Sequence, residues 1–124
     1  MARSDGDGWA AASLDDLGEG PGFRKIRREL DVQAFGVNAV VLPPGFESRR
    51  HYHERQEELY IVIRGEVEFR LGDSEERRRL GPGGLARVDA STVRGLGNPS
   101  DTEDAVYVCV GGDGGYVGRD GIPG

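Results

Sequence analysis

PPGFESRRHYHERQEELYIVIRG, residues 43–65, is the stretch on which the reading of this chain turns. It holds both histidines of the protein, His51 and His53, two residues apart, with Glu57 and Glu58 close behind. On an extended strand successive side chains point to opposite faces, so His51 and His53 share a face and offer two imidazole nitrogens to one point. A carboxylate must then come from the next strand. Glu57 and Glu58 stand where the chain turns back, ahead of LYIVI, a β-branched and aromatic run that reads as a buried strand ended by Gly65. Two neutral nitrogens and one carboxylate oxygen suit a divalent transition metal: Fe(II), and also Zn, Mn or Ni.

Outward from this stretch the pattern is of short segments rich in Val, Ile, Leu, Phe and Tyr, broken by Gly, Pro and Asp at intervals of roughly eight to twelve residues, the spacing of an all-β sandwich or barrel. Strands are expected near 24–30, 32–42, 48–53, 58–64, 66–71, 77–80, 85–88, 93–97 and 105–111. In EVEFRLGD, Val67, Phe69 and Leu71 alternate with Glu66, Glu68 and Arg70, as one buried and one wet face require. Gly72-Asp73-Ser74, Gly81-Pro82-Gly83-Gly84 and Asn98-Pro99-Ser100-Asp101 supply turns. AVYVCVGG (105–112) is apolar on both faces and reads as a central strand. Ahead of the barrel, residues 1–22 read as a partly flexible extension: 1–8 mobile, then about two turns of helix from Trp9 to Leu17. The barrel itself is expected over 23–112. Beyond it, residues 113–124 continue a run with seven glycines in fourteen residues (111–124), a tail expected to leave the barrel and lie on the surface or against a partner.

At 124 residues one domain is expected, large enough for a core of its own. The net charge of −6 argues against nucleic acid, which needs clustered excess basic charge, and the one dense basic run, Arg77 to Arg79, follows two glutamates. A single cysteine, Cys109, excludes an internal disulfide. No apolar run approaches the roughly 18 residues of a membrane span, so no membrane partner is expected. Without the basic start and apolar run of a signal peptide at its head, the chain is expected to be cytoplasmic.

The spacing Gly45, five residues, His51-x-His53, four residues, Glu58, six residues, Gly65 resembles the first motif of the cupins, small β-barrels of the jelly-roll kind. It prefers Glu58 over Glu57, because only Glu58 stands the required six residues before Gly65. The resemblance implies an all-β, double-stranded β-helix or jelly-roll barrel, a metal pocket on His51, His53 and Glu58, a small-molecule ligand, no organic cofactor and frequent homodimerisation. The second cupin motif is only half present. Counted from Gly83, its ends fall on Gly83 and Asn98, but its middle positions carry Asp89 and Ser91, and Arg94 occupies the place of the fourth ligand, a histidine in the family.

Arginine stays protonated and offers only donors, so Arg94 cannot ligate a metal. A guanidinium about 5 Å from a dication is repelled by several kcal/mol at an effective dielectric near 20. Three arrangements follow: Arg94 turns aside and the other three residues hold a metal; an anionic ligand bridges metal and guanidinium; or Arg94 pairs with Glu58 in a metal-free pocket. The leading expectation is a metal-binding barrel acting on a small, anionic organic molecule by oxygenase, isomerase or decarboxylase chemistry, with Arg94 as anion clamp. The alternative is a non-catalytic binding or sensing barrel closed by the Arg94–Glu58 pair. Tyr60 faces the same side as Glu58 and is either core or a donor toward the ligand. Cys109 reads as a small buried apolar residue, since no histidine remains to activate it.

Overall fold

The computed structural model describes residues 3–72 and 76–124. In chain order its elements are β1 (Ser4–Gly6), β2 (Trp9–Ala11), a 3-10 turn (Leu14–Asp16), β3 (Gly22–Arg24), α1 (Ile26–Leu30), β4 (Gly36–Leu42), β5 (His51–His53), β6 (Glu57–Arg64), β7 (Val67–Leu71), β8 (Glu76–Leu80), β9 (Leu85–Val88), β10 (Arg94–Gly97), β11 (Ala105–Gly112) and β12 (Gly121–Pro123). Two five-stranded antiparallel sheets, ordered β3-β4-β11-β6-β9 and β12-β5-β10-β7-β8, form an all-β jelly-roll barrel. No described helix is long and apolar enough to cross a membrane.

The core lies between the sheets, where period-two alternation delivers one side chain in two. On β7, Val67 and Phe69 are fully buried while Glu68 faces outward to Arg77 and Arg79. Val62 and Tyr60 of β6, Val40 and Leu42 of β4, and Leu96 of β10 close around them. The Tyr60 ring packs against Phe69 and Tyr107, each with ring centroids 5.6 Å apart. Buried Asn98 ties the turn after β10 to the frame. Its Nδ2 donates to the carbonyls of Leu42 and Glu103, and its Oδ1 accepts from the N–H of Ser100.

Several expectations do not hold. Instead of the helix expected from Trp9, β1 and β2 form a hairpin with Gly6 opposite Trp9. The reason is local: Asp7-Gly8 is a two-residue hairpin turn with Gly8 at φ +82°, and the Trp9 ring lies over Gly6 where any Cβ would collide. The expected strand 24–30 divides into β3 and α1, because IRREL is built of good helix formers. The expected strand 32–42 begins only at Gly36. Asp73 and Ser74 of the first expected turn lie outside the described residues, as do Met1 and Ala2. The glycine-rich tail does not leave the barrel: β12 pairs with β5, Gly121 opposite His53 and Pro123 opposite His51.

Gly65 turns the chain from β6 to β7 at φ +64°, and a Cβ there would lie 2.5 Å from the Asp104 carbonyl oxygen. Gly45 has φ +75° but open space around it. Gly45→Ala is therefore expected to cost about 1 to 2 kcal/mol, the left-handed penalty alone, and Gly65→Ala about 3 kcal/mol or more because backbone must also move. Urea denaturation of the two variants checks the difference.

Candidate metal centre

The three residues expected to converge do so, from opposite sheets. Alternation on β5 turns His51 and His53 inward, with ring centroids 5.1 Å apart and planes at 84°. The chain crosses through residues 54–56 to β6, whose second residue, Glu58, points back at them. One ligand atom from each of His51, His53 and Glu58 lies within 4.8 Å of the other two. Glu57 faces outward to Arg87 at 3.0 Å, so Glu58 is the carboxylate of the site.

Glu58 sits under a canopy of donors. Its Oε1 accepts from the Tyr60 hydroxyl at 2.7 Å and lies 3.1 Å from His53 Nε2, while its Oε2 accepts from the Cys109 thiol at 3.2 Å. Burial resists its ionisation, but these donors and the His53 charge outweigh that and hold its pKa at about 2. Burial pushes the Tyr60, Tyr107 and Cys109 groups upward, and the Glu58 charge adds to it, so all three stay protonated. Burial, then the charges of His53 and Arg94, lower the His51 pKa and keep that ring neutral. For His53 burial acts in the same sense but is overcome by Glu58 and Asp120, and its pKa is raised.

The donor set fits a metal ion. His53 Nδ1 lies 2.6 Å from Asp120 Oδ1, and a carboxylate only accepts, so Nδ1 carries the proton. His53 Nε2 is buried and has no aligned hydrogen-bond partner, and in the neutral ring it carries the lone pair toward the gap beside Glu58. Its 3.1 Å separation from Oε1 is the spacing of neighbouring ligands each about 2.1 Å from a shared ion.

Arg94 is not at the pocket mouth. It is fully buried on β10, opposite His51, and donates to the carbonyls of Ala90 and Thr92 through Nη1 and of Asp89 through Nη2. Its Nη2 also stands 3.5 Å from Glu58 Oε1. The guanidinium thus turns aside into the 89–92 turn while touching Glu58, and a clamp on an incoming anion does not fit its burial. Tyr60 lines the cavity but spends its hydroxyl on Glu58.

That cavity, about 740 Å³, opens between the sheets over His51, His53, Glu58 and Cys109. Residues the sequence did not single out complete it. Lys25, Arg27 and Arg28 come from α1 and its N-terminal flank, and Tyr116, Arg119 and Asp120 from the C-terminal segment. Nothing in the local sequence marks Asp120, whose partner lies far away in the chain. The α1 cations stand in KIRRE, residues 25–29, a looser basic cluster inside the segment expected as the strand 24–30.

The family model for the cupin domain matches residues 38–111. No curated protein matches the sequence significantly. Among solved structures, an uncharacterised conserved protein with a double-stranded β-helix domain from Klebsiella pneumoniae superposes with TM-score 0.75 at 22% identity, over 91% of this chain and 89% of that one. The polyketide cyclase RemF from Streptomyces resistomycificus gives TM-score 0.69 at 18% identity, over 82% of this chain and 77% of that one. The DMSP lyase DddQ from Ruegeria pomeroyi gives 0.61 at 22% identity, over 73% of this chain and 43% of that one, so the chain spans less than half of the lyase. At these identities the likeness is one of fold.

Protonation ties the site to stability. Glu58 titrates at about 2 when folded against an ordinary 4.5, so its ionised form stabilises the chain above the ordinary value and the gain is lost as pH falls through about 2. The raised His53 has the opposite sign: its contribution is full below its ordinary 6.5 and is lost as pH rises through the folded value. In chelator-treated protein, the wild type is expected to lose more stability than Glu58→Gln between pH 4.5 and 2. Urea midpoints at the two ends of that window check it.

Proposed function

This chain belongs to the cupin family, and on that premise we propose that its barrel holds a divalent transition metal on His51, His53 and Glu58 and acts on a small, anionic organic molecule. The observation that carries the reading is the His53 ring: one nitrogen is tied to a carboxylate, and the other, buried and without an aligned hydrogen-bond partner, faces a second carboxylate beside an open cavity. A histidine that only packs has no use for that arrangement, whereas metal-binding histidines commonly have their second nitrogen anchored in this way. When bound, the ion supplies a Lewis-acid centre that polarises a coordinated carboxylate or carbonyl.

The chain's own residues do the rest. Tyr60 and Cys109 hold Glu58 in one orientation and keep it ionised. Tyr107, Val40 and Val37 give the cavity apolar walls that exclude water from the inner end. Anion selectivity comes from the rim rather than from Arg94. Arginines on the outer faces, such as Arg64, Arg77, Arg79 and Arg87, are engaged by carboxylates. Lys25, Arg28 and Arg119, which line the cavity, have no such partner among the described residues. In a chain of net charge −6, cations left unpaired around a pocket mark where a negative group enters. A ligand that reaches both rim and metal has an anionic end and a second coordinating oxygen. Oxygenase, isomerase and decarboxylase chemistries all use such a ligand.

A second reading rests on the 3.5 Å contact of Arg94 with Glu58: a metal-free binding barrel in which that ion pair satisfies the carboxylate. Metal analysis separates the two. Protein purified without an affinity tag or chelator is expected to carry close to one equivalent of a first-row transition metal, and His51→Ala with His53→Ala to carry none; below about a tenth of an equivalent in the wild type, the metal reading fails. Arg94→His, which places an imidazole opposite His51 and removes the cation, is expected to tighten Zn(II) binding by about tenfold or more in chelator competition.

A further inference from the structure

The C-terminal segment is a wall of the site. Val117 is buried, the Tyr116 ring lies under the Arg27 guanidinium at 3.9 Å, and β12 adds an antiparallel strand to the edge of β5. At the head of that strand stands Asp120, 67 residues from His53 in sequence, its side chain 10% exposed. It accepts four hydrogen bonds. Oδ1 takes the His53 Nδ1–H at 2.6 Å and the Gln56 side-chain amide at 2.6 Å; Oδ2 takes the backbone N–H groups of Arg55 at 2.8 Å and Gln56 at 3.1 Å.

We propose that Asp120 is the positioning residue of the metal centre: it fixes the tautomer and orientation of His53 and ties down the 54–56 crossing that carries Glu58 to face it. The geometry supports both parts. An ionised carboxylate has no proton to give, so the ring nitrogen facing it must be N–H and the lone pair of a neutral ring is left on Nε2, toward Glu58. The other oxygen grips two successive backbone amides in the three-residue link between the ligand-bearing strands, so a single side chain sets both the ring and the distance between the sheets at that point. Asp120 touches neither metal nor ligand in this role; it acts through His53.

The consequence for affinity rests on the metal reading above, but the His53 tautomer is a property of the metal-free chain. The test therefore has two arms. In long-range proton–nitrogen spectra of metal-free protein at about pH 9, wild-type His53 is expected as the Nδ1–H tautomer, and Asp120→Ala shifts it toward the Nε2–H form that free imidazoles favour, with His51 as internal control. In chelator competition, Asp120→Ala is expected to weaken Zn(II) binding by about tenfold to a hundredfold. Should Asp120→Ala fail to fold, Asp120→Asn serves. It keeps shape and one acceptor oxygen but cannot accept at both ends, and is expected to lose about fivefold or more in affinity. An unchanged His53 tautomer in Asp120→Ala, or Zn(II) affinity within about twofold of wild type in the folded variants, overturns the assignment. Absence of Zn(II) uptake by the wild type overturns the metal reading instead, and the nitrogen spectrum still decides the role of Asp120.

Discussion

A carboxylate removed from bulk water between two sheets is the constraint on which the rest of this molecule depends. Glu58 is ionised there because a hydroxyl, a thiol, a guanidinium and, when it is protonated, the His53 imidazole surround it, from β6, β11, β10 and β5 respectively. Each donor sits on a different strand, so the charge is tolerable only when all four are in register. Leaving a buried anion unpaired costs several kcal/mol, comparable to the net stability of a small domain. The barrel is thus specified from two directions: apolar alternation assembles the sheets, and one buried charge rejects arrangements that fail to bring its partners together.

Arg94 shows how this constraint reshapes a family pattern. An imidazole at this place on β10 would lend its lone pair to an ion. The guanidinium instead closes three carbonyls of the 89–92 turn and leaves an edge near Glu58. A turn whose sequence lacks the usual proline and glycine is held by a long side chain reaching back into it. The cations that line the cavity, Lys25, Arg28 and Arg119, come instead from α1 with its flank and from the C-terminal segment, where they are exposed and have no carboxylate partner among the described residues.

The barrel and its inner pair of histidines were legible because they depend on local rules. Alternation in β7, glycine at the β6–β7 turn, and the two-residue spacing of His51 and His53 each encode their geometry within a few positions. The choice of Glu58 over Glu57 needed the family spacing and is matched by the outward ion pair of Glu57 with Arg87. What escaped was of two kinds. The hairpin of β1 and β2 carried its Asp7-Gly8 turn signal openly, but the small residues around it also suit a helix. Asp120 and β12 carried no signal, since a glycine-rich segment with one aspartate acquires meaning only from a strand more than sixty positions earlier. The burial of Arg94 likewise depends on carbonyls whose direction the sequence does not announce.

The pairing of β12 with β5 has a kinetic corollary. Contacts between residues so distant in sequence close large loops, whose entropy is repaid only after the intervening chain has condensed. The anchoring of the His53 ring by Asp120 therefore forms only once that loop has closed, whatever the order of the other pairings.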